Sequence, residues 1–343
     1  MSALRRDAPL QALSSFGLPA RARELAVLER PETLPALLDA DGPLLLLGGG
    51  SNTVFVDDFP GRIVLNRLRG VRFEDAGDDV VTVTAEAGED WHSLVLRTLE
   101  AGLWGLENLA LIPGSVGAAP MQNIGAYGVE LSDVLESVEV FDRTEERTAS
   151  LSTEQCALGY RSSRFRDADA GRFVILSVRM RLRRRARPVL DYPSLAAELG
   201  RRGHETIDDP RIVAAAVMRV RRHRLPDPAR LPNAGSFFKN PVVARREADA
   251  LVERFPDLPH WDLADGRAKL SAGWMIEACG WRGRRHGGLR VHEHHALVVT
   301  NPGGGTGSEL LALAGAIRGS VAERFGVVLE PEPMLVGGAL PPT

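Results

Sequence analysis

The sequence predicts an α+β protein built from several lobes, and three observations support this class. The chain has 343 residues, which exceeds one ordinary domain and allows two or three packed lobes. Short apolar runs typical of strands alternate with helical patterns along the whole chain. The turn Leu225-Pro226-Asp227-Pro228 interrupts this alternation and predicts a lobe boundary.

Short strands dominate the first predicted lobe, residues 1–70. The continuous apolar run Leu44–Leu47 is long enough for a buried strand. Further strands are expected at Val54–Val56 and Ile63–Leu65. These short strands, separated by turns, indicate a small α+β lobe.

The second predicted lobe, residues 71–225, mixes strands with helices. A helix is expected from about Glu89, because apolar side chains recur on one face and Gly102 provides a C-terminal stop. Phe173–Leu182 alternates apolar residues with polar or basic ones, which predicts a strand with one solvated face. The other elements expected here are strands Val80–Thr84 and Val138–Phe141 and the helix Ile212–Val220.

The third predicted lobe, residues 226–326, begins with a loop at Asn233–Pro241, and residues 327–343 form a separate C-terminal segment. Helices and strands are expected in this part at Arg245–Phe255, Ala272–Cys279, Ala296–Thr300, Gly307–Phe325 and Val327–Leu329.

Composition and charge exclude several classes of protein. The formal net charge of −3 attracts neither nucleic acid nor an anionic membrane. No apolar run approaches the roughly 20 residues of a membrane helix, and the N-terminus lacks the apolar core of a signal peptide. The two cysteines form no CxxC pair and indicate a reducing compartment. We therefore expect a cytoplasmic protein with no nucleic-acid partner and no membrane insertion.

Two charged clusters resemble binding sites but have simpler explanations. His292, His294 and His295 have no cysteine or carboxylate at ligand spacing, so no metal is expected there. The basic run Arg179–Arg187 fits the solvated face of a strand better than a nucleic-acid surface.

A glycine-rich turn follows the first apolar strand. It consists of Gly48, Gly49, Gly50, Ser51 and Asn52. Glycines permit the positive φ angles and close approach of an anion-binding nest of backbone N–H groups, but a tight turn would explain them equally well. The pattern is neither GxGxxG nor a Walker loop, so it predicts no Rossmann or P-loop domain.

The segment Gly105–Leu131 is nearly uncharged, yet it is neither helical nor alternating. Its glycines and prolines predict an irregular backbone. A buried crossover loop of this length would leave many backbone amides in need of partners. A large, flat polar ring lying against the segment would supply them.

The segment GLENLALIPGSVGAAPMQNIGAYGVEL closely resembles the flavin-binding segment of the UDP-N-acetylenolpyruvoylglucosamine reductase (MurB) family. Further motifs occur in the family's order over nearly the whole chain. They are GGGSN, GYRSSRF (Gly159–Phe165), RLPDP (Arg224–Pro228), NAGSFFKNP (Asn233–Pro241), SAGWMIEACG (Ser271–Gly280) and LEPE (Leu329–Glu332).

The resemblance implies a two-part FAD-binding domain of the vanillyl-alcohol-oxidase type and a smaller α+β substrate-binding domain. It also implies tightly bound FAD, NADPH as hydride donor, and reduction of an enolpyruvyl UDP-sugar to UDP-N-acetylmuramate for peptidoglycan. A monomer is expected. Tyr192 and the sequence around Met121 place the chain nearer the family's type I subgroup.

The resemblance also carries residue roles. Ser236 matches the proton donor, Arg161 an active-site arginine and Glu332 an active-site glutamate, although Glu330 is a rival that spacing alone does not exclude. The implied FAD-binding residues are Gly48, Gly49, Gly50, Ser51, Asn52, Ile112, Pro113, Gly114, Ser115, Gly117, Ala119, Gln122, Ile124, Ala126 and Arg221. The implied substrate-binding residues are Tyr160, Tyr192, Arg224 and Asn240.

Some positions depart from the family pattern. Ala118-Ala119 stands where a serine is frequent, so one contact to the flavin or its phosphates is in doubt. Arg224 replaces a lysine that serves the substrate diphosphate, with a different geometry. Met334 stands where a basic residue is expected two places after the glutamate.

Two other classes of protein share some of these features. An alcohol oxidase of the same fold would need a base rather than the proton donor that Ser236 matches. A nucleic-acid-binding protein using the arginine clusters would be colourless, whereas a flavoprotein is yellow.

Overall fold

The computed structural model describes residues 4–203, 206–263 and 265–341. The remaining positions, at both termini and inside the second and third predicted lobes, lie outside the described residues. Contact clustering divides the chain into two compact units, each assembled from separate segments. The first comprises residues 1–8, 22–49 and 60–223, and the second comprises 9–21, 50–59 and 224–343. The four predicted domain ranges stay a prediction.

The secondary structure is mixed throughout the described residues. The strands are β1 (Arg5–Pro9), β2 (Arg21–Leu28), β3 (Leu44–Leu47), β4 (Thr53–Phe55), β5 (Phe59–Asn66), β6 (Val71–Asp75), β7 (Val80–Glu86), β8 (Gly125–Ala126), β9 (Val129–Glu130), β10 (Leu135–Asp142), β11 (Arg147–Ser152), β12 (Phe173–Arg183), β13 (Asn233–Ser236), β14 (Val242–Ala244), β15 (His260–Asp262), β16 (Arg267–Leu270), β17 (Arg285–His286), β18 (Leu289–Val291), β19 (Val298–Thr300) and β20 (Met334–Val336). The α-helices are α1 (Leu34–Leu38), α2 (Trp91–Glu100), α3 (Pro193–Arg201), α4 (Pro210–Arg224), α5 (Arg245–Arg254), α6 (Ala272–Ala278) and α7 (Gly307–Phe325).

The first unit contains a four-stranded sheet, ordered β1-β2-β5-β3, and a five-stranded sheet, ordered β11-β10-β12-β7-β6. Strands β3 and β5 run parallel, whereas neighbours in the larger sheet are antiparallel. The larger sheet packs its apolar face against α2 and α4 in a core that contains Val83, Trp91, Val178 and Val217. This burial holds the segment 105–131, whose Leu106, Leu109 and Leu131 belong to the same core.

Strand β12 serves two cores of the first unit. Val174 and Leu176 pack with side chains of the four-stranded sheet, whereas Val178 and later apolar residues pack into the larger core. The switch coincides with a register shift opposite Glu139 in β10. Because the strand is covered on both sides there, Ser177 is also buried, and the expectation of one solvated face was wrong for this half of the strand.

The second unit contains a four-stranded sheet, ordered β13-β19-β18-β17, a three-stranded sheet, ordered β14-β16-β15, and the parallel pair β20-β4. Their apolar side chains pack around α7, whose Leu310, Ile317 and Phe325 are buried. Helix α7 begins with a capping box between Thr306 and Glu309 and ends at Gly326, which has a φ of 71°. These end signals explain why its predicted range was confirmed.

Two local expectations were wrong. The predicted loop at 233–241 begins with strand β13, because its short polar residues pair with β19 rather than with solvent. The predicted strand Val327–Leu329 is not a strand in the structure, in which the last described strand is β20. No helix in the described part of the chain is long and apolar enough to cross a membrane.

An ion pair between a buried carboxylate and a partly exposed guanidinium closes the β10–β11 turn of the first unit. Asp142 accepts hydrogen bonds from Arg172 at 2.6 Å and from the backbone N–H of Thr144 at 2.9 Å. These contacts, led by the guanidinium of Arg172, lower the pKa of Asp142 from 3.8 to about 2.

We predict that Asp142→Asn lowers the melting temperature at pH 7, while Asp75→Asn, which disrupts an exposed pair with Arg184, changes it little. Because the folded-state pKa of Asp142 is depressed, its carboxylate stabilises the fold above pH 3.8, and this contribution is lost as the pH falls towards 2. Thermal unfolding at several pH values tests this. The prediction would be contradicted if the difference in melting temperature between the wild type and Asp142→Asn did not become smaller as the pH falls from 3.8 towards 2.

Candidate active site

The end of strand β3 meets the segment 105–131 without space for a side chain. A Cβ atom placed on Gly49 would lie 2.8 Å from the Cα of Gly114, and one on Gly48 would lie 2.1 Å from the Oγ of Ser115. A Cβ on Gly117 would lie 2.5 Å from that of Ala87. At Gly49 the two backbones touch directly, whereas Gly48 and Gly117 lie against the side chains of Ser115 and Ala87, so a Cβ at any of the three would force a neighbour to move.

Arg67 secures the first part of this contact. Its Nη1 donates to the carbonyl oxygen of Gly48 at 3.1 Å, immediately after β3. Burial, together with the nearby charge of Arg69, lowers the pKa of Arg67. The first unit thus places a desolvated cation beside its glycine-rich turn.

The N-terminal end of α2 secures the other part. The backbone N–H of Trp91 donates to Gly114 O at 3.0 Å, and its indole Nε1 donates to Leu109 O at 3.1 Å. The N–H of Val116 donates to Glu89 O at 2.9 Å. An irregular stretch of backbone is thereby fixed by hydrogen bonds at both of its ends.

Buried polar side chains organise the rest of the segment. Asn108 donates to the carbonyl oxygens of Tyr127 and Val189, both at 2.8 Å. Glu107 is buried and accepts from Gly105 N at 2.6 Å; desolvation raises the pKa of its carboxyl. The short β8–β9 pair contains Ala126, while Gln122 accepts from Arg166 at 2.5 Å. Ala119 is buried in the core, and the N–H of Ile124 donates to its carbonyl oxygen at 3.1 Å.

The three tyrosines of the chain all belong to the first unit. The rings of Tyr127 and Tyr192 meet edge to face, with centroids 5.1 Å apart. The guanidinium of Arg161 lies 5.4 Å from the ring centre of Tyr160, and its Nη2 donates to Gly125 O at 3.3 Å. Arg161 also has a φ of 53°, an unusual backbone conformation for a residue with a side chain.

Arg221, another predicted flavin contact, lies near the C-terminal end of α4. Its Nε is buried and has no hydrogen-bond partner in the described part of the chain. Desolvation lowers its pKa, and Tyr127 and Arg161 are the charges that act on it most. A buried cation without a carboxylate partner is costly unless it faces an anionic or hydrogen-bonding ligand.

In the second unit, Ser236 ends strand β13 opposite Val298 of β19. The next residue, Phe237, donates to Leu297 O at 2.7 Å and accepts from the N–H of Glu332 at 2.9 Å. The segment that contains Ser236 therefore lies between two others, one with Leu297 and one with Glu332. Ser236 and Glu332 are brought to neighbouring segments, while Arg161 belongs to the other unit.

The two candidate glutamates have different surroundings. Glu330 pairs with Lys239 at 3.3 Å, and its side chain is 73% exposed. Glu332 is half-buried, and its carbonyl oxygen accepts from Asn52 at 3.3 Å. These surroundings favour Glu332 over Glu330 as the residue that acts in a site.

The other predicted residues of the second unit are spread around these segments. Asn240 accepts from the N–H of Ala272 at 3.0 Å and so supports the start of α6. Arg224, the last residue of α4, is exposed. Ser51 and Asn52 precede β4, and Gly50 has a φ of 68° and accepts from the N–H of Ser15 at 3.2 Å. A cluster of three histidine, cysteine or acidic residues able to hold a metal is absent from the described residues.

These residues fit FAD. Ser115 has a buried Oγ with no hydrogen-bond partner in the described structure, at the point where Gly48 leaves no space for a side chain. Arg221 provides a cation whose buried Nε has no partner among the described residues. An unpartnered hydroxyl beside closely packed glycines and such a cation suit a ligand with both phosphates and a polar ring.

Comparison with known proteins agrees with this reading. Residues 32–149 match the model of an FAD binding domain, and residues 227–336 match the C-terminal domain of UDP-N-acetylenolpyruvoylglucosamine reductase. The reductase of Burkholderia multivorans is 48% identical over 96% of this chain and 95% of that protein. The one from Chromobacterium violaceum is 47% identical over 97% and 98%. The crystal structure of MurB from Thermus caldophilus has a TM-score of 0.68 at 26% identity and covers 98% of this chain and 100% of that one.

The fold and the site thus define an FAD-dependent oxidoreductase with a two-part flavin domain and a second α+β domain. The chain belongs to the UDP-N-acetylenolpyruvoylglucosamine reductase family.

Sequence reasoning missed several residues that shape the site. Arg67 lies just after a strand and gave no motif, and His92 was part of the polar face of a predicted helix. Glu107 could have been noticed as the first carboxylate in an otherwise nearly uncharged segment. Its burial could not, because burial depends on how the surrounding segments pack around it.

We predict that Gly49→Ala weakens FAD binding by about tenfold or more, because overpacking costs roughly 1–3 kcal/mol where the backbone of Gly114 cannot move away. Gly200→Ala is the matched control, since a Cβ at this position in α3 meets nothing within 4 Å. Flavin fluorescence titration of the apoproteins measures both. Wild-type affinity in Gly49→Ala would show that this contact is dispensable.

Proposed function

We propose that this protein reduces the enolpyruvyl ether of UDP-N-acetylglucosamine to UDP-N-acetylmuramate, with NADPH as the hydride donor. This is a step of peptidoglycan precursor synthesis and thus serves cell-wall formation, cell shape and division. The observation that carries the proposal beyond family membership is the hydrogen bond from Glu332 N to Phe237 O. It joins the segment of the proposed glutamate to the residue after the proposed proton donor.

The reaction adds a hydride to the methylene carbon of the enolpyruvyl group and a proton to the neighbouring carbon. FAD, held by the residues proposed below, would supply this hydride, which originates from NADPH. The residues of the chain must therefore stabilise the developing enolate and deliver one proton.

Ser236 is the proposed proton donor. A serine hydroxyl is a weak acid, so it needs surroundings that stabilise the alkoxide left behind. Hydrogen bonds fix the chain after Ser236 on both sides, which limits its motion during the transfer. Glu332 is proposed to donate a hydrogen bond to the enolate intermediate from a protonated carboxyl, because an ionised carboxylate has no donor.

Arg161 is proposed to balance the negative charge of the enolate or of the substrate carboxylate. Its contacts with Tyr160 and Gly125 fix its orientation.

The remaining contacts are assigned by the same argument. FAD is proposed to bind residues 48–52 and 112–126, including Ile112, Pro113 and Ser115, together with Arg221. Tyr160, Tyr192, Arg224 and Asn240 are proposed to bind the UDP-sugar. Met334 is 43% exposed and leaves one expected basic contact without an equivalent.

We further propose a monomeric enzyme of the type I subgroup that works in the cytoplasm. Tyr192 supports the subgroup, since it is 42% exposed and so available to close over a ligand. Size-exclusion chromatography with light scattering tests the oligomeric state.

We predict that Ser236→Ala leaves flavin bleaching by NADPH unchanged but slows reoxidation by the UDP-sugar about a thousandfold, or ~4 kcal/mol. The reason is that only the second half-reaction needs the proton. Stopped-flow flavin absorbance with each substrate alone separates the halves. Ser308→Ala, at an exposed serine of α7, is the control. Equal loss in both halves would rule out the proton-donor role.

We predict that Glu332→Gln slows the second half-reaction about a hundredfold, in the range of a group that acts on the transition state. Glu330→Gln should stay within about twofold, because an exposed ion pair with Lys239 contributes little. The same stopped-flow measurement decides between them. A larger effect at Glu330 would reverse the assignment.

A further inference from the structure

A histidine takes part in the contact between α2 and the flavin segment. The backbone N–H of Leu111 donates to Nδ1 of His92 at 3.0 Å. This bond lies between the two made by Trp91 to Leu109 O and Gly114 O. His92 is the second residue of α2, and its side chain is half-buried.

Leu111 needs such support. Its φ of 62° is in the left-handed region, which a residue with a branched side chain seldom adopts. The next four residues, Ile112–Ser115, are those proposed to hold FAD. An unsupported Leu111 would allow the backbone to relax to negative φ and would shift these residues.

The hydrogen bond fixes the protonation state of the imidazole. A backbone N–H can only donate, so Nδ1 must carry its lone pair and the ring must be neutral, with its proton on Nε2. Protonation of Nδ1 would put two donors face to face and break the bond.

The surroundings of His92 favour the neutral ring. Burial is the main cause that lowers its pKa below 6.5; Asp90 raises it, and Arg222 and Arg221 on α4 lower it again. These three side chains are the charged groups acting on it. The bond to Leu111 is therefore complete at neutral and alkaline pH.

We propose that His92 is a positioning residue for the cofactor: its neutral imidazole holds Leu111 in the strained conformation that FAD binding requires, and protonation releases it. This inference rests on the proposed binding of FAD by residues 112–115. It makes FAD affinity dependent on pH through a residue that need not touch the flavin.

Two substitutions separate this role from general stability. His92→Asn retains an acceptor, because Oδ1 occupies nearly the position of Nδ1, but it does not titrate. His92→Phe retains the ring and removes the acceptor. His223→Asn, at an exposed histidine of α4, is the matched control.

The measurement is the FAD dissociation constant of each apoprotein, from flavin fluorescence between pH 8 and pH 5. At pH 8 we expect His92→Phe to bind FAD about tenfold more weakly, and His92→Asn to bind like the wild type. Below pH 6.5 the wild type and His223→Asn should weaken towards the His92→Phe value, while His92→Asn stays flat. This pH profile would not follow from lost packing alone.

The outcomes are distinguishable. A wild-type profile in His92→Asn, or wild-type affinity in His92→Phe at pH 8, would overturn the role of His92. If His92→Phe does not fold, His92→Asn still tests the role of His92, because its FAD affinity should not depend on pH below 6.5 as that of the wild type does. A wild-type apoprotein that binds no FAD at any pH would instead contradict the proposed cofactor site.

Discussion

Direct contact between backbones, without side chains between them, is the constraint on which the flavin unit depends. Where β3 ends, Gly48 and Gly49 lie against Gly114 and Ser115, and Gly117 lies against Ala87. At Gly49 no other residue type fits without moving the backbone of Gly114. The hydrogen bonds of Arg67 and the N-terminal end of α2 act on this same contact from its two sides. Main-chain contacts thus position the flavin site, and the side chains provide its positive charge.

That charge is concentrated in buried cations. Burial lowers the pKa of both Arg67 and Arg221, and the Nε of Arg221 has no partner in the described structure. A folded protein tolerates such desolvation when the cost is recovered in binding. The arrangement explains how a chain with a net charge of −3 can still offer a positive environment to a diphosphate or an electron-rich ring.

Elements with strong local signals could be predicted from the sequence. Helix α7 has a capping box and a terminal glycine, and β3 is a continuous apolar run, so both ranges were confirmed. The register shift in β12 could not be predicted, because it depends on which sheet covers each half of the strand. The flavin segment was predicted as an irregular loop whose backbone amides need hydrogen-bond partners. The family of the chain was predicted from the order of its motifs. The hydrogen bonds that Arg67 and His92 make to this region were not predicted, because each joins residues 19 apart in sequence and no motif marks it.

The pairing of β20 with β4 has a consequence for how the protein is made. These parallel strands join Met334 to Thr53, and the nearby bond between Asn52 and Glu332 spans 280 residues. At about 5–20 residues per second, a ribosome needs roughly a quarter of a minute to a minute to synthesise that stretch. During this time β4 has been made but its partner strand does not exist. The nascent chain must therefore keep the edge of β4 away from other strands until β20 has been synthesised.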